Sequence, residues 1–324
     1  MVQMRITRIL PALALCLASA ALLPAQRDRA PRRLENPEEL HLPGGSRVEF
    51  RSFRSSALDK DASYSIFTPP SYDKEPERRF PVIYFLHGLN NDHTSWATPR
   101  YGNLPVQVEA LLKKGEVSEF LLVHPDGGNS LYTDSLDGTG KYETYIRRDL
   151  IAEVEKNFRV QTGRAARALG GVSMGGYGAL KIAMRHPREF ASVSGTSPIV
   201  FLGEDPSKSL TNRESRRGGY VLRLIGNTFG DPFNQEHWRE NSLEALARTA
   251  VLGELNIHFS YGTADRYNRM FPMEQGVKTL DQVLSERGIA HTCQIYESEP
   301  HGWELVRSHL DETLAFLSQT FSHP

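Results

Sequence analysis

Apolar and polar residues alternate along 47–53 (Arg-Val-Glu-Phe-Arg-Ser-Phe) and 62–68 (Ala-Ser-Tyr-Ser-Ile-Phe-Thr). A period of two turns one side of each segment inward, so both read as half-exposed antiparallel strands near a sheet edge. Pro69-Pro70 ends the second. Residues 80–86 and 119–124 are apolar almost throughout, which marks strands covered on both faces. Each runs into a polar loop, His-Gly-Leu-Asn-Asn-Asp at 87–92 and Pro-Asp-Gly-Gly at 125–128. Elsewhere the period changes. Residues 105–113 suit a helix, and apolar or aromatic residues at 142, 146, 150, 154 and 158 draw one stripe along a helix over 142–158. Further strands are expected at 168–172, 190–194, 255–261 and 291–296, with helices after 173, at 273–287 and at 303–321.

Strands that alternate with helices imply an α/β fold: a mostly parallel sheet flanked by helices on both faces, with functional groups in loops at the carboxyl ends of the strands. Residues 203–249 break this rhythm. The stretch is polar, contains Arg213, Arg216, Arg217 and Trp238, and is too long for an ordinary connection, so it reads as a cap insertion over the site. No internal repeat is present, and no boundary divides 46–321 into two domains.

Composition changes the picture at the amino terminus. Arg5 and Arg8 precede an apolar run over 9–23, and small residues follow at Pro24-Ala25. Such a segment reads as a secretory signal peptide over 1–25, cleaved after Ala25 or, as the second choice, after Ala20. The run is shorter than the roughly 20 residues of a spanning helix, which argues against stable membrane insertion after cleavage. Residues 26–45 are rich in Arg, Glu and Pro and read as a flexible leader. An exported, periplasmic or extracellular, protein results. The full chain has a formal charge of −1 over 324 residues, and removal of Arg5 and Arg8 makes it more acidic, so nothing suggests a nucleic-acid partner. Of the two cysteines only Cys293 lies beyond the signal segment, so no internal disulfide is expected.

The candidate chemistry centres on 171–175, Gly-Val-Ser-Met-Gly. G-x-S-x-G between a strand and a helix describes a strained elbow that lifts a serine hydroxyl out of the sheet, although a glycine-rich structural turn is the other reading. An activated Ser173 needs a base held by an acid, both downstream of it in this architecture. His301 alone among the downstream histidines sits in a loop between a strand and a helix; His258, His291 and His309 fall within or at the start of regular elements. Asp265 follows a strand end through Gly262-Thr263-Ala264 and is the favoured acid. Glu299 is its rival, but lies only two residues from His301. Two backbone N–H donors should receive an oxyanion: Met174 directly after the serine, and Leu89 in the loop after 80–86. His87 and His93 lack a third ligand at a recognisable spacing, so neither a metal nor a cofactor is expected.

Taken together, Thr68-Pro69-Pro70-Ser71-Tyr72, Phe85-Leu86-His87-Gly88-Leu89, the elbow through Leu180, Gly262-Thr263-Ala264-Asp265 and His301-Gly302-Trp303 resemble the esterase D family of the α/β-hydrolases. That family includes feruloyl and acetyl-xylan esterases, enterochelin-esterase-like proteins, S-formylglutathione hydrolase and mycolyltransferases. The resemblance covers roughly residues 46–316. It implies the α/β-hydrolase fold, a triad of Ser173, Asp265 and His301, oxyanion donors at Leu89 and Met174, and hydrolysis of a carboxylic ester through an acyl-enzyme. Export favours an acylated carbohydrate over a cytosolic glutathione thioester, with Trp96, Tyr101, Trp238 and Trp303 as candidate stacking surfaces. An acyltransferase with the same triad and a non-catalytic carbohydrate-binding relative are the alternatives.

Overall fold

A computed structural model describes residues 39–211 and 213–321. The expected signal segment and residues 26–38 of the leader lie outside the described residues. Nine strands form one mixed sheet in the order β1-β2-β3-β5-β4-β6-β7-β8-β9. They are β1 (Glu39–His41), β2 (Arg47–Ser55), β3 (Lys60–Thr68), β4 (Val82–Leu86), β5 (Leu121–Pro125), β6 (Arg167–Val172), β7 (Ser192–Thr196), β8 (Asn256–Gly262) and β9 (His291–Tyr296). From β5 to β9 every neighbouring pair is parallel, and β1, β2 and β3 add antiparallel strands at one edge.

The apolar runs explain the layering. Val82, Tyr84 and Leu86 of β4 enter one core, while Ile83 and Phe85 enter the core on the opposite face. Leu121 and Val123 of β5 separate from Leu122 in the same way. A strand with two buried faces has no polar period, as its sequence promised. In chain order the helices are α1 (Ser71–Lys74), α2 (Leu104–Lys114), α3 (Tyr142–Thr144), α4 (Ile151–Asn157), α5 (Met174–Arg185), α6 (Arg216–Phe229), α7 (Gln235–Asn241), α8 (Leu243–Thr249), α9 (Met273–Glu286), α10 (Trp303–Ser308) and α11 (Leu310–Ser318). Side chains of α2, α10 and α11 pack on one face of the sheet, and those of α4, α5 and α9 on the other.

Five differences from the sequence reading have local causes. Residues 39–45, taken as leader, are in part a strand: β1 pairs with β2, and the Glu109 carboxylate accepts the N–H groups of Gly44 and Ser46 at 2.7 and 2.9 Å. The strand expected at 190–194 lies at 192–196, where Gly195 and Thr196 carry no apolar signal. A π-helical turn over Tyr145–Leu150 joins α3 to α4. Residues spaced by four drift about 40° per step on a regular helix, and the wider turn keeps Ile146, Leu150 and Val154 on one buried side. The helix expected at 303–321 breaks at His309, which leaves helical geometry and stacks its ring on Tyr296. Finally, 203–249 holds three helices, each opened by a side-chain cap: Ser215, Asn234 and Ser242 accept from the N–H of Gly218, His237 and Ala245. Trp238 anchors this insertion among Phe201 and Phe229, and the Tyr177 hydroxyl donates to the Asn241 carbonyl to fasten it to α5. Among the described residues no helix is long and apolar enough to cross a membrane.

One buried ion pair ties α5 to the segment before the π-helical turn. Lys181, fully buried, donates to Glu143 and to the Tyr132 carbonyl, both at 2.6 Å, while His186 and Arg185 meet the other Glu143 oxygen. Burial alone would raise the Glu143 pKa; Lys181, His186 and Arg185 outweigh it and hold the carboxyl well below its ordinary 4.5. A depressed carboxyl stabilises the fold above its unfolded value, and that contribution disappears as pH falls through its folded value. Lys181→Met should therefore destabilise the protein by about 3–5 kcal/mol at neutral pH and raise the pH at which acid unfolds it. Urea titrations at neutral pH and at pH 4 check both effects.

Candidate active site

Ser173 occupies the turn between β6 and α5 with φ 58° and ψ −117°. A serine in that region costs on the order of 1–3 kcal/mol, and its neighbours must enforce it. The enforcement is visible: the Ser173 N–H donates to the Thr196 carbonyl of β7 at 2.8 Å, and its carbonyl accepts the Tyr177 N–H at 3.0 Å. Two motif glycines are spaces rather than hinges. A Cβ on Gly175 would lie 2.0 Å from the Leu86 carbonyl oxygen, and one on Gly171 would lie 2.3 Å from the carbonyl oxygen of Gly175. The start of α5 therefore presses against the end of β4, where the loop carrying Leu89 begins.

His301 lies 36 residues beyond Asp265 and 128 beyond Ser173, yet it touches both. Its Nδ1 is 2.5 Å from Asp265 Oδ2, and its Nε2 is 2.9 Å from Ser173 Oγ. A carboxylate only accepts, so Nδ1–H donates to it and Nε2 is left to accept from the serine hydroxyl. Asp265 is buried, and its other oxygen accepts the Tyr267 N–H at 2.8 Å. The Tyr267 ring stands edge-on to His301, 4.5 Å between centroids. Glu299, the rival acid, has its carboxylate 3.9 Å from His309 instead. Buried His258 is paired with Ser194, and His291 with Asp281.

The expected oxyanion donors flank this group. Met174 is the first residue of α5, so its N–H has no carbonyl within the helix. Leu89 sits in the turn closed by the Asn91 N–H to the Gly88 carbonyl. A Cβ on Gly88 would be only 3.3 Å from that of Ser173, which sets the loop directly against the serine.

Several residues support this group through contacts that the sequence did not announce. His87 is fully buried, with Nδ1 donating to its neighbour's carbonyl at 2.8 Å and Nε2 accepting the Gly127 N–H at 2.9 Å. The Tyr132 hydroxyl donates to the His87 carbonyl, and a Cβ at Gly127 or Gly178 would strike the Tyr132 ring. Asn91 joins two loops, accepting from the Trp303 indole and donating to the Tyr101 hydroxyl, each at 2.8 Å. Burial pushes the Asp126 carboxyl up, but the His87 ring 3.7 Å away and a hydrogen bond from the Gly128 N–H prevail and bring it down to about 2. The proposed stacking surfaces fare poorly. Trp96 and Trp238 are 2% and 1% exposed, Trp303 is buried, and only Tyr101 is partly open.

Residues 55–317 match the model of the family described as Putative esterase. The chain belongs to that family. Among relatives of this esterase-family chain, Esterase Rv1288 of Mycobacterium tuberculosis is 30% identical over 191 residues, which are 57% of this chain and 40% of that protein. The endo-1,4-beta-xylanase/feruloyl esterase of Xylanibacter ruminicola is 28% identical over 145 residues, 43% of this chain and 20% of its own length. The chain thus spans well under two thirds of either relative. Among solved structures, a ferulic acid esterase is similar at TM-score 0.66 and 24% identity, covering 86% of this chain and 99% of that one. An S-formylglutathione hydrolase from Agrobacterium tumefaciens is similar at TM-score 0.68 and 18% identity, with 87% and 98% covered. These likenesses establish the α/β-hydrolase fold.

The glycine contacts make a paired prediction. Gly175→Ala must move the Leu86 carbonyl and should destabilise the protein by about 1–3 kcal/mol or more. Gly219→Ala in α6, where the nearest atom to a new Cβ is 3.8 Å away, should stabilise by about 0.5–1 kcal/mol. The midpoints of urea unfolding measure both.

Proposed function

We propose that the chain is an exported serine esterase that cleaves carboxylic esters of acylated carbohydrates through an acyl-enzyme. The observation that carries this reading is the continuous path from Ser173 Oγ through His301 to Asp265, at 2.9 and 2.5 Å. Ser173 Oγ attacks the ester carbonyl carbon while His301 Nε2 takes its proton, and the displaced carbonyl electron pair becomes an oxyanion. The N–H groups of Leu89 and Met174 receive that charge, each worth roughly 2.7–4 kcal/mol to the transition state. Asp265 keeps the imidazole in the required tautomer and stabilises its protonated form. When the oxyanion collapses, the alcohol leaves with the proton from His301; water, deprotonated by His301, then releases the acid and restores Ser173. The similarity to an endo-1,4-beta-xylanase/feruloyl esterase and to a ferulic acid esterase supports a feruloyl ester, and an acetyl ester is the other candidate. The amino-terminal composition supports export.

A fluorophosphonate probe should label the native chain at Ser173 and leave Ser173→Ala unlabelled. In a screen of acetyl, feruloyl and longer-chain esters, Ser173→Ala should lower kcat by about 10³-fold or more with an unchanged unfolding midpoint. An unlabelled Ser173, or a variant as fast as the native enzyme, would overturn the mechanism.

A further inference from the structure

The sheet order puts different chemistry on the two flanks of Ser173. Toward β8 and β9 lie Asp265 and His301. Toward β4, β5 and β3 the strands end in loops that carry none of the proposed catalytic side chains. β4, β5 and β6 are parallel, so their loops share the Ser173 edge. β3 runs against β5, with Tyr64 opposite Pro125, so the turn before β3 also rises there. A cavity of about 450 Å³ opens at this place, lined chiefly by Lys60, Asp61, Asn90, Asp126, Asn129 and Tyr142. Its volume falls within the roughly 300–1,000 Å³ typical of small-ligand sites.

The cavity begins one residue past Leu89. Asn91 lines it, and a Cβ on Gly88 would lie within 3.7 Å of the Asn91 amide oxygen and 3.3 Å of Ser173 Cβ. Two of the loops that line it are tied together: Asn129 accepts the Asn90 N–H at 2.8 Å and donates to the Asn90 side chain at 3.1 Å. Chemically, the lining offers three carboxylates, three amides and one ammonium group. Such walls are a poor home for an aromatic or long acyl chain, which takes apolar surroundings. Carboxylates and amide oxygens accept from hydroxyl groups, while amide and ammonium groups donate to them. The Asp126 carboxyl, held below its ordinary value by the His87 ring and the Gly128 N–H, adds to that acceptor capacity. Three carboxylates against one ammonium also repel an anionic ligand.

We propose that this cavity is the subsite for the sugar portion of the ester, a neutral, hydroxyl-rich saccharide seated against Asp61, Asn90 and Asn129. The proposal rests on the esterase reading and names the substrate part that reading leaves open. It also replaces the buried tryptophans as the carbohydrate contact.

The test compares an acetylated neutral xylo-oligosaccharide with 4-nitrophenyl acetate as the ratio of their kcat/KM values. Asp61 is exposed at the start of β3, so its replacement leaves the core alone. Asp61→Ala should lower the ratio about tenfold or more through a raised KM. Asp61→Lys should lower it further and raise the corresponding ratio for an acetylated oligosaccharide that carries a uronate. Tyr142→Ala, which removes another lining group and the Lys60 contact at 3.0 Å, should act in the same direction as Asp61→Ala. Ratios within twofold of native in all three variants, or a native chain that turns over 4-nitrophenyl acetate but not the oligosaccharide, would overturn the subsite while the esterase reading stands. A native chain that hydrolyses neither ester would overturn both.

Discussion

Between the last carbonyl of β4 and the first turn of α5 there is no room for a Cβ. Gly175 would place one 2.0 Å from the Leu86 oxygen, and that contact sets how far the Ser173 elbow can sit from the loop holding Leu89. Close backbone packing of this kind is stiff, because any relaxation must move a central strand. Ser173 keeps its strained conformation for the same reason: β7 holds its N–H and α5 holds its carbonyl, so release would break both attachments at once.

From this fixed point the other loops are aligned by polar contacts rather than by apolar packing. Asn91 bridges the loop after β4 to Trp303, two residues past His301. Tyr132 ties the carbonyl of His87 to a segment that Lys181 of α5 holds from below. The helix that begins at Ser173 thus also secures the loop opposite the serine. Buried polar contacts of this sort are costly when left half made, which gives them directional authority that a leucine lacks. They lie where small displacements would separate Ser173, His301 and the two proposed backbone donors.

The flanks of the site differ in character. One carries Asp265, Tyr267 and His301; the other carries amides, carboxylates and a lysine around an open cavity.

Much was legible along the chain because local pattern and tertiary role coincide there. Strands covered on both faces had to be apolar throughout, and the glycines around Ser173 had to be glycines wherever the chain folded so tightly. Ser173, Asp265 and His301 stood out because each follows a strand end, and parallel strands send all such ends to one edge. Where pattern and role diverge, sequence was mute. Within 203–249, α7 and α8 are only seven residues each and little beyond their Asn and Ser caps announces them, while the apolar face of α6 is interrupted by arginines and glycines. Asn91, Tyr132 and Glu109 look like ordinary loop and helix residues until partners 212, 45 and 65 positions away come within hydrogen-bond distance. Trp96 and Trp238 were candidate stacking surfaces although such residues are more often core, and their burial depends on neighbours supplied by distant segments. The sequence by itself determined the layered sheet and singled out Ser173, Asp265 and His301 as candidates, since these follow from periodicity and from the space a backbone needs. Tertiary structure alone decided which polar groups meet and which surfaces stay open, because both depend on contacts between residues that no local period relates.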